Sequence, residues 1–170
     1  ETNRLIRLVN DLLVLSRADS EALNLRRTSV AMDELIQATV TKLTPQAEAR
    51  DLALHTTLDP TLPPVWADAD RIAQVLVNLL DNAIKYSQPG GTITVQGAID
   101  EEGSVVVRVR DEGIGIPADV LPHIGERFYR ADKARSRAQG GSGLGLAIAQ
   151  ALVQAHGGQL WLESEEGVGT

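Results

Sequence analysis

The chain has 170 residues, of which 43% are hydrophobic and 23% are charged, and this composition predicts one globular domain, alone or with an appendage. Sixteen basic and 23 acidic residues give a net charge of −7, so we expect no nucleic-acid partner and no general affinity for anionic lipid. The absence of cysteine excludes disulfides, a thiolate nucleophile and a zinc site with Cys ligands. No apolar run reaches the ~20 residues of a membrane span, and no signal peptide is visible.

The front helix is predicted from leucines that repeat with the 3-4-3 spacing of a coiled-coil seam over residues 3–18. Its apolar stripe is broad and consists of Leu5, Ile6, Leu8, Val9, Leu12, Leu13 and Leu15. A stripe this wide favours packing against partner helices in a bundle. A terminal helix folded onto its own domain fits the same pattern. Because the sequence starts inside this helix and stops at Gly169-Thr170, we expect a piece of a longer protein.

The later elements follow from hydrophobic periodicity and turn residues. Strands are predicted at 25–30, 52–58, 65–67, 92–99, 105–110 and 159–163, and helices at 33–50, 68–87 and 144–155. Turns are predicted at 60–64 and 88–91, and the strands at 92–99 and 105–110 form a hairpin. This order indicates an α+β fold, a two-layer sandwich of a mixed, mostly antiparallel sheet with helices on one face, preceded by the front helix.

The helix at 68–87, which Asp68 is expected to N-cap, carries polar residues that its fold does not need. Asn78, Asn82 and Lys85 form one stripe beside the apolar face, and Asn is about 0.5 kcal/mol worse than Ala within a helix. Amide oxygens suit a hard cation, amide N–H groups suit phosphate oxygens, and the lysine adds a positive charge. The stripe therefore indicates a magnesium–polyphosphate ligand, and a solvated polar face is the alternative.

Glycine is confined to the second half of the chain, where all 15 glycines lie at or after Gly90. Asp111, Gly113 and Gly115 follow a predicted strand directly. Such a carboxylate can accept a hydrogen bond from an exocyclic amine such as that of adenine, and the glycines would let a flat ligand approach the main chain. An ordinary turn also produces this pattern.

A second glycine-rich segment, residues 140–149, runs into the last predicted helix. Free N–H groups at the start of a helix form an anion site. Residues 126–137 just before it hold five basic and two acidic residues, which indicates a mobile basic lid over phosphates. A surface loop with chance charge is the alternative. The chain has no G-x-x-x-x-G-K-[ST] sequence, so a P-loop is excluded.

Four of these motifs together resemble a known family. Residues 78–86 resemble the N box of sensor histidine kinases, 111–115 the G1 box, 126–130 the F box and 141–146 the G2 box. Residues 157–158, 163–164 and 167–170 are similar to the closing strands of the same family. The front helix resembles the end of the second helix of the dimerisation and phosphoacceptor domain.

The resemblance implies a Bergerat-type ATP-binding fold, shared with gyrase, heat-shock chaperone and mismatch-repair ATPases. It implies that residues 1–20 are the C-terminal part of the dimerisation helix, 21–27 a linker, and 28–170 the ATP-binding catalytic domain with a truncated last strand. It also implies ATP and Mg²⁺ as cofactors and a cytoplasmic domain of a membrane-anchored bacterial parent. The partners that it implies are the parent's own phosphoacceptor helices, a second copy in a homodimer, and the receiver domain of a response regulator.

The family's motifs carry over to sixteen positions of this sequence. They are Asn78, Asn82, Lys85, Tyr86, Asp111, Gly113, Gly115, Ile116, Tyr129, Arg130, Lys133, Gly141, Gly143, Leu144, Gly145 and Leu146. By this resemblance Asn78 and Asn82 would engage magnesium and the phosphates, and Asn78 and Arg130 would act in phosphoryl transfer. Lys85 would bind phosphate, and Asp111 would recognise the adenine amine.

The remaining carried-over residues would shape the pocket. Tyr86 would pack on the nucleotide, and Gly113 and Gly115 would form the floor. Gly143 and Gly145, with the leucine between them, would cap the phosphates at the start of the last helix.

Three departures from the family pattern stand out. None of the three histidines, at positions 55, 123 and 156, has the context of a phosphoacceptor, so the chain is expected to bind ATP without holding its own target. Gly125 stands where the family usually has an aromatic residue, which would loosen the lid. Glu112 replaces a common Asn beside the G1 aspartate, a change of small expected effect.

The motifs leave two other function classes to weigh. One is a Bergerat-fold ATPase that hydrolyses ATP or phosphorylates serine, but that class usually has Glu at the position of Asn78, where it serves as a base, and an amide cannot take a proton. The other is a non-enzymatic nucleotide-sensing or helix-dimerising module, which only the missing aromatic at Gly125 favours. The leading interpretation is the ATP-binding catalytic domain of a sensor histidine kinase.

Overall fold

The order of elements matches the predicted order in a computed structural model that describes residues 2–20, 22–129 and 142–170. The helices are α1 (Thr2–Asp19), α2 (Met32–Glu48), α3 (Ala69–Tyr86) and α4 (Gly145–Ala155). The strands are β1 (Thr28–Val30), β2 (Ala53–Leu58), β3 (Val65–Ala67), β4 (Thr92–Ile99) and β5 (Val105–Asp111). Each helix and strand predicted up to residue 155 is present, and its ends differ from the prediction by at most three residues.

The main sheet has three strands in the order β2-β4-β5, with β2 parallel and β5 antiparallel to β4. Strands β1 and β3 form a separate antiparallel pair. In the β4–β5 hairpin, Asp111 is paired with Ile93 at the last position of the ladder. The predicted G1 aspartate therefore lies where the sheet ends and the chain begins to turn.

Helices α2 and α3 cover one face of this sheet. The apolar cluster between the two layers consists of Ile36, Val40, Leu43, Ala47, Leu52, Leu76, Leu80, Ala83, Ile84, Ile93 and Val95. Burial of these side chains is the main source of stability for such a two-layer arrangement. The predicted α+β sandwich with helices on one face is confirmed.

Helix α1 packs on the domain through one face only. Val14 and Leu15 join α3 and α4 in a second apolar cluster, whose other buried members are Val75, Leu144, Ala147, Ile148, Ala149 and Leu152. The opposite face of α1 is exposed and consists of Leu5, Ile6, Val9, Leu12 and Leu13. One face of the helix therefore folds onto its own domain, while the other has no cover among the described residues. Packing of that exposed face against partner helices stays a prediction. No helix in the described part of the chain has the length and apolar content needed to cross a bilayer.

The strand predicted at residues 159–163 is wrong for the described residues, which form no ladder there. The strand was predicted from alternating apolar and polar residues, and burial does alternate here, since Leu160 and Leu162 are half-buried and their neighbours are exposed. A strand also needs a neighbouring backbone to pair with. Beyond it the chain turns back on itself at Glu165 and Gly169, so alternation alone did not decide the pairing.

Candidate nucleotide site

Helix α3 is the element that carries the N-box residues. Its N-cap, Asp68, accepts a hydrogen bond from the Arg71 N–H at 3.2 Å, as predicted. The face that packs on the sheet is apolar, and Asn78, Asn82 and Lys85 are half-buried beside it. The sequence therefore folds this helix so that the polar stripe lies at the boundary between core and solvent.

Asn78 joins α3 to the start of α4. Its Nδ2 donates a hydrogen bond to the backbone oxygen of Gly145 at 3.1 Å. This contact was not predicted. It uses one of the two N–H donors of the amide and leaves Oδ1 to bind a cation or to accept from a donor. The contact brings the N-box and G2 residues to one place in the fold.

The C-terminal end of α3 meets the G1 turn. The Ile114 N–H donates to the Tyr86 oxygen at 3.3 Å, and Ser87 forms an isolated β-bridge with Gly113. The Nζ atom of Lys85 lies 5.9 Å from the centre of the Tyr86 ring, which is within range of a cation–π interaction. The ring itself is 38% exposed, so it offers an apolar surface to a ligand.

Asp111 is partly buried in this turn and is held by backbone donors. Its Oδ1 accepts hydrogen bonds from the Gly113 N–H at 2.9 Å and from the Thr170 N–H at 3.3 Å. Burial raises the pKa of this carboxyl, and the two hydrogen bonds lower it only in part. Both bonds fall on Oδ1, so Oδ2 is the atom suited to receive an exocyclic amine.

The raised pKa of Asp111 predicts a measurable pH dependence of stability. Because the folded pKa exceeds the ordinary value of 3.8, the folded state binds more protons than the unfolded chain in the window just above that value. The contribution of this carboxyl to the free energy of unfolding is therefore fully present below about pH 4 and is lost as the pH rises through the folded pKa.

In Asp111→Asn the side chain at position 111 cannot titrate. The variant should therefore lack the pH-dependent contribution of this carboxyl to the free energy of unfolding. We expect urea unfolding of the wild type and the variant, compared between about pH 3 and pH 7, to give a difference in free energy that changes across the window. Parallel curves at all pH values would contradict the assigned environment of Asp111.

Gly113 and Gly115 are needed for contacts of the protein with itself. A Cβ on Gly113 would lie 2.7 Å from both the Tyr86 oxygen and Asp111 Oδ1, and one on Gly115, where φ is +65°, would collide with the Glu165 backbone. These glycines therefore let the G1 turn pack against α3 and the C-terminal segment. The expectation that they also let a flat ligand approach the main chain stays a prediction. The backbone N–H of the next residue, Ile116, donates to Ser164 Oγ at 2.8 Å.

The start of α4 leaves backbone donors open. The Ile148 N–H donates to the Leu144 oxygen at 2.9 Å, and none of the described side chains caps the helix at Leu144. The N–H groups of the first turn therefore point out of the helix end, where anions are favoured. Gly143 has a φ of +73°, and a Cβ there would lie 3.0 Å from the Phe128 carbonyl carbon.

Two of the predicted contact residues have side chains that are part of the core. Leu144 is completely buried and Leu146 is 8% exposed, because the apolar face of α4 begins at its first turn. The side chains of these leucines face other protein atoms, and only their backbone groups are available for a ligand.

The described part of the F box is tied to α1 and α4. The Arg127 guanidinium forms an ion pair with Asp19 at the end of α1, and the Phe128 N–H donates to the Gly143 oxygen at 3.0 Å. A Cβ on Gly125 would lie 2.5 Å from Gln150 Oε1. The Gln150 side chain thus fills the space beside Gly125 where the family's aromatic residue was expected.

The rest of the predicted lid lies outside the described residues. This applies to Arg130, Lys133 and Gly141, and to most of the basic segment at 126–137. Tyr129 is described and half-buried, with its ring 5.8 Å from the ring of His123.

Three hydroxyl residues at the site were not singled out from the sequence. Ser87 is 6% exposed, and its Oγ has no hydrogen-bond partner among the described residues. Ser164 Oγ and Thr170 Oγ1 lie 2.8 Å apart, and the Asp111 N–H donates to the Thr170 oxygen at 2.8 Å. A hydroxyl in a turn is common on any surface, so the sequence held no signal that distinguishes these three.

The site therefore extends along α3 between two contact points. The G2 glycines meet the helix at Asn78, and the G1 turn meets it at Tyr86, about 12 Å further along the axis. Asn82 and Lys85 lie between these points.

Two clefts of about 460 and 620 Å³ in the described residues lie elsewhere, one beside Gly125 and one beside Asp68. No cluster of three or more His, Cys, Asp or Glu side chains that could hold a metal occurs in the described ranges.

This arrangement, a helix of amides and a lysine between a carboxylate turn and an uncapped helix end, is that of a nucleotide-binding protein. Residues 67–170 match the model of the histidine kinase-, DNA gyrase B-, and HSP90-like ATPases. The sensor histidine kinase WalK of Bacillus subtilis is 44% identical over the whole chain, which spans 28% of WalK.

Two solved structures are similar over almost the whole chain. Full-length ShkA in complex with AMPPNP has a TM-score of 0.85 and 30% identity, with 97% of this chain and 34% of ShkA covered. Histidine kinase ThkA in complex with response regulator TrrA has a TM-score of 0.73 and 25% identity, with 99% of this chain and 46% of ThkA covered. The chain thus spans less than half the length of each of these three relatives.

The chain belongs to the histidine kinase-, DNA gyrase B-, and HSP90-like ATPase family, because the family model covers more than half of it. Its fold and motifs are those of the ATP-binding catalytic domain of a sensor histidine kinase, as the sequence predicts.

Proposed function

We propose that this chain supplies the ATP-binding catalytic step of a two-component sensor kinase, the transfer of the ATP γ-phosphate to a histidine that lies on another helix. The observation that carries the proposal is that α3 meets the G1 turn at one end of its polar stripe and the G2 glycines at the other. A nucleoside triphosphate likewise has two different ends, a base at one and phosphates at the other. The AMPPNP held by ShkA supports ATP as the ligand.

In this proposal the nucleotide is bound by groups that neutralise or recognise its parts. Asp111 Oδ2 accepts the adenine amine, and the exposed ring of Tyr86 packs on the nucleotide. Lys85 and the first-turn N–H groups of α4 bind phosphate oxygens. Arg130 and Lys133 are assigned to the terminal phosphates from the family motif alone. Phosphoryl transfer needs this positioning and charge neutralisation more than it needs covalent chemistry by the protein.

The amides at positions 78 and 82 fit a magnesium ion bound together with the phosphates. The Nδ2 atom of Asn78 is engaged by Gly145, so its Oδ1 is left to face a ligand, and amide oxygens are ordinary ligands of hard cations. When bound, the ion would neutralise charge on the phosphates.

Asn82→Ala is expected to remove the benefit of magnesium for nucleotide binding. If Asn82 holds the ion, adding MgCl₂ should tighten binding of an ATP analogue to the wild type by about tenfold and to the variant by less than about twofold. Isothermal titration calorimetry with and without magnesium measures both. Asn10→Ala is the matched control, because Asn10 is an exposed mid-helix asparagine on α1. An unchanged magnesium effect in Asn82→Ala would refute the assignment.

Transfer to a histidine is favoured over hydrolysis because Asn78 lies where related ATPases would need a base. An amide cannot accept a proton, so attack by water gains no assistance at this position. The direct test supplies radiolabelled ATP and a separate phosphoacceptor domain. We expect label to appear on the acceptor histidine, with little phosphate released in its absence. Release of phosphate at the same rate without an acceptor would identify a hydrolase instead.

The organisation of the parent protein follows from α1. We propose that residues 1–20 end a dimerisation helix, 21–27 form a linker and 28–170 form the catalytic domain. The exposed face of Leu5, Ile6, Val9, Leu12 and Leu13 would pack against the helices of a second copy. The ThkA–TrrA complex supports a response regulator as the downstream partner. The WalK relative of Bacillus subtilis supports a bacterial sensor kinase as the parent. The membrane anchor of the parent and the cytoplasmic position of this domain stay predictions from the family resemblance.

A further inference from the structure

Helices α3 and α4 are joined by polar contacts at two points, one of which lies away from the nucleotide site. Asn78 binds Gly145 at the site, and the Asp68 N–H donates to the Nε2 atom of His156 at 3.0 Å at the other end. The two contacts are ten residues apart on α3 and eleven apart on α4, so the helices are antiparallel and the contacts are separated by about 15 Å. Together they fix the register of one helix against the other.

The His156 contact requires one protonation state of the imidazole. Its Nδ1 atom lies 2.7 Å from the Leu152 oxygen, and a carbonyl oxygen can only accept, so Nδ1 carries a hydrogen. The Nε2 atom faces a backbone N–H, which can only donate, so Nε2 must be unprotonated. His156 is therefore neutral, with its hydrogen on Nδ1. The ring connects the last turn of α4 to the N-cap of α3.

The linker before β1 is attached to the same point. The Asp68 carboxylate accepts from the Arg26 N–H at 2.9 Å through Oδ2 and from the Arg71 N–H at 3.2 Å through Oδ1. The Arg27 Nη2 donates to the Ala155 oxygen at 2.9 Å, one residue before His156. Burial would raise the pKa of Asp68, but these backbone bonds outweigh it and the pKa is lowered. The linker thus contacts the N-cap of α3 through the Asp68 carboxylate and the end of α4 through the Arg27 guanidinium.

We propose that His156 is a positioning residue for the nucleotide site. Its neutral imidazole holds the far ends of α3 and α4 together, and this sets the register that puts Asn78 on Gly145. Through Asp68, a displacement of the linker acts on the same register, so the position of α1 is coupled to the geometry of the phosphate-binding end. The part of the inference that concerns ATP rests on the proposed function, and the part that concerns register does not.

The first test uses NMR on the protein without nucleotide. In the wild type, the ¹⁵N shifts of His156 should report a neutral ring with hydrogen on Nδ1. In His156→Ala, the side-chain amide signal of Asn78 should shift and exchange faster with solvent, although it lies about 15 Å away. His55→Ala is the matched control and should leave this signal in place, because His55 lies on β2. An Nε2-protonated ring, or an Asn78 signal unchanged in His156→Ala, would overturn the proposal.

The second test measures affinity for an ATP analogue well below the unfolding temperature. We expect His156→Ala to weaken binding about fivefold, which corresponds to about 1 kcal/mol, and Arg27→Ala to weaken it by a smaller factor. His55→Ala should bind as the wild type does. Lost thermal stability with unchanged affinity in His156→Ala would reduce His156 to a structural role and overturn the positioning role. If the wild type itself binds no ATP analogue, the proposed function fails, and the Asn78 signal still decides whether the register is set from His156.

Discussion

Asp111→Asn should lose about a hundredfold in affinity for ATP and for adenosine alike, while the domain stays folded. The amide oxygen can replace Oδ1 and keep the bonds from the Gly113 and Thr170 N–H groups. The amide NH₂ then takes the place of Oδ2 and faces the adenine amine. Both groups are hydrogen-bond donors, so no hydrogen bond can form between them. A lost hydrogen bond to a charged group is worth about 1.5–3 kcal/mol, and an unsatisfied donor adds to the loss. Calorimetric titration with both ligands measures the effect.

Glu112→Gln is the control for this substitution. Glu112 is the adjacent residue, is exposed, and accepts a bond from the Thr92 N–H through Oε2 at 3.1 Å, which Gln can also accept. The Glu112→Gln variant should bind ATP as the wild type does. Asp111→Ala, which removes the acceptor altogether, should abolish detectable binding. Unchanged affinity in Asp111→Asn would show that this carboxylate does not recognise the base, and the orientation proposed for the nucleotide would then be wrong.

Lys85→Ala should weaken ATP about 30-fold, which corresponds to about 2 kcal/mol, and adenosine by less than about twofold. Only ATP has phosphates for the ammonium group to bind, and a half-buried charge pair is screened less by salt than an exposed one. Titrations at two ionic strengths should show that added salt weakens ATP binding more in the wild type than in the variant.

The matched control for the lysine is Lys42→Ala on the exposed face of α2. It changes the net charge by the same amount at a position away from the site, so it isolates the local role of Lys85 from a general electrostatic effect. Equal losses for ATP and adenosine in Lys85→Ala would indicate that the lysine supports the fold of the turn at Tyr86 rather than binding phosphate.

Local patterns were sufficient to predict most of the fold. The amphipathic repeat of α3, its cap at Asp68 and the alternation in β4 and β5 each identified an element, because each depends on neighbours within a few residues. The motifs also placed Asn78, Asn82 and Lys85 on one helix face, because helical spacing alone decides this whatever packs against them.

Contacts between distant residues could not be predicted in this way. The bond from Asn78 to Gly145 spans 67 positions and the bond from Asp68 to His156 spans 88, and neither has a local pattern. The apolar character of Leu144 was visible, but only the packing of α4 on α1 and α3 showed that its side chain is buried in the core.

The sequence by itself determined the order of the helices and strands, the family, and the residue types that a nucleotide site needs, because hydrophobic period, caps and motifs act over short stretches of chain. Only the tertiary structure decided which backbone each glycine accommodates, whether residues 159–163 find a strand to pair with, and how the two site helices are held in register. Those outcomes depend on which segments meet in space, and the free energy of such contacts is shared between positions far apart in the chain.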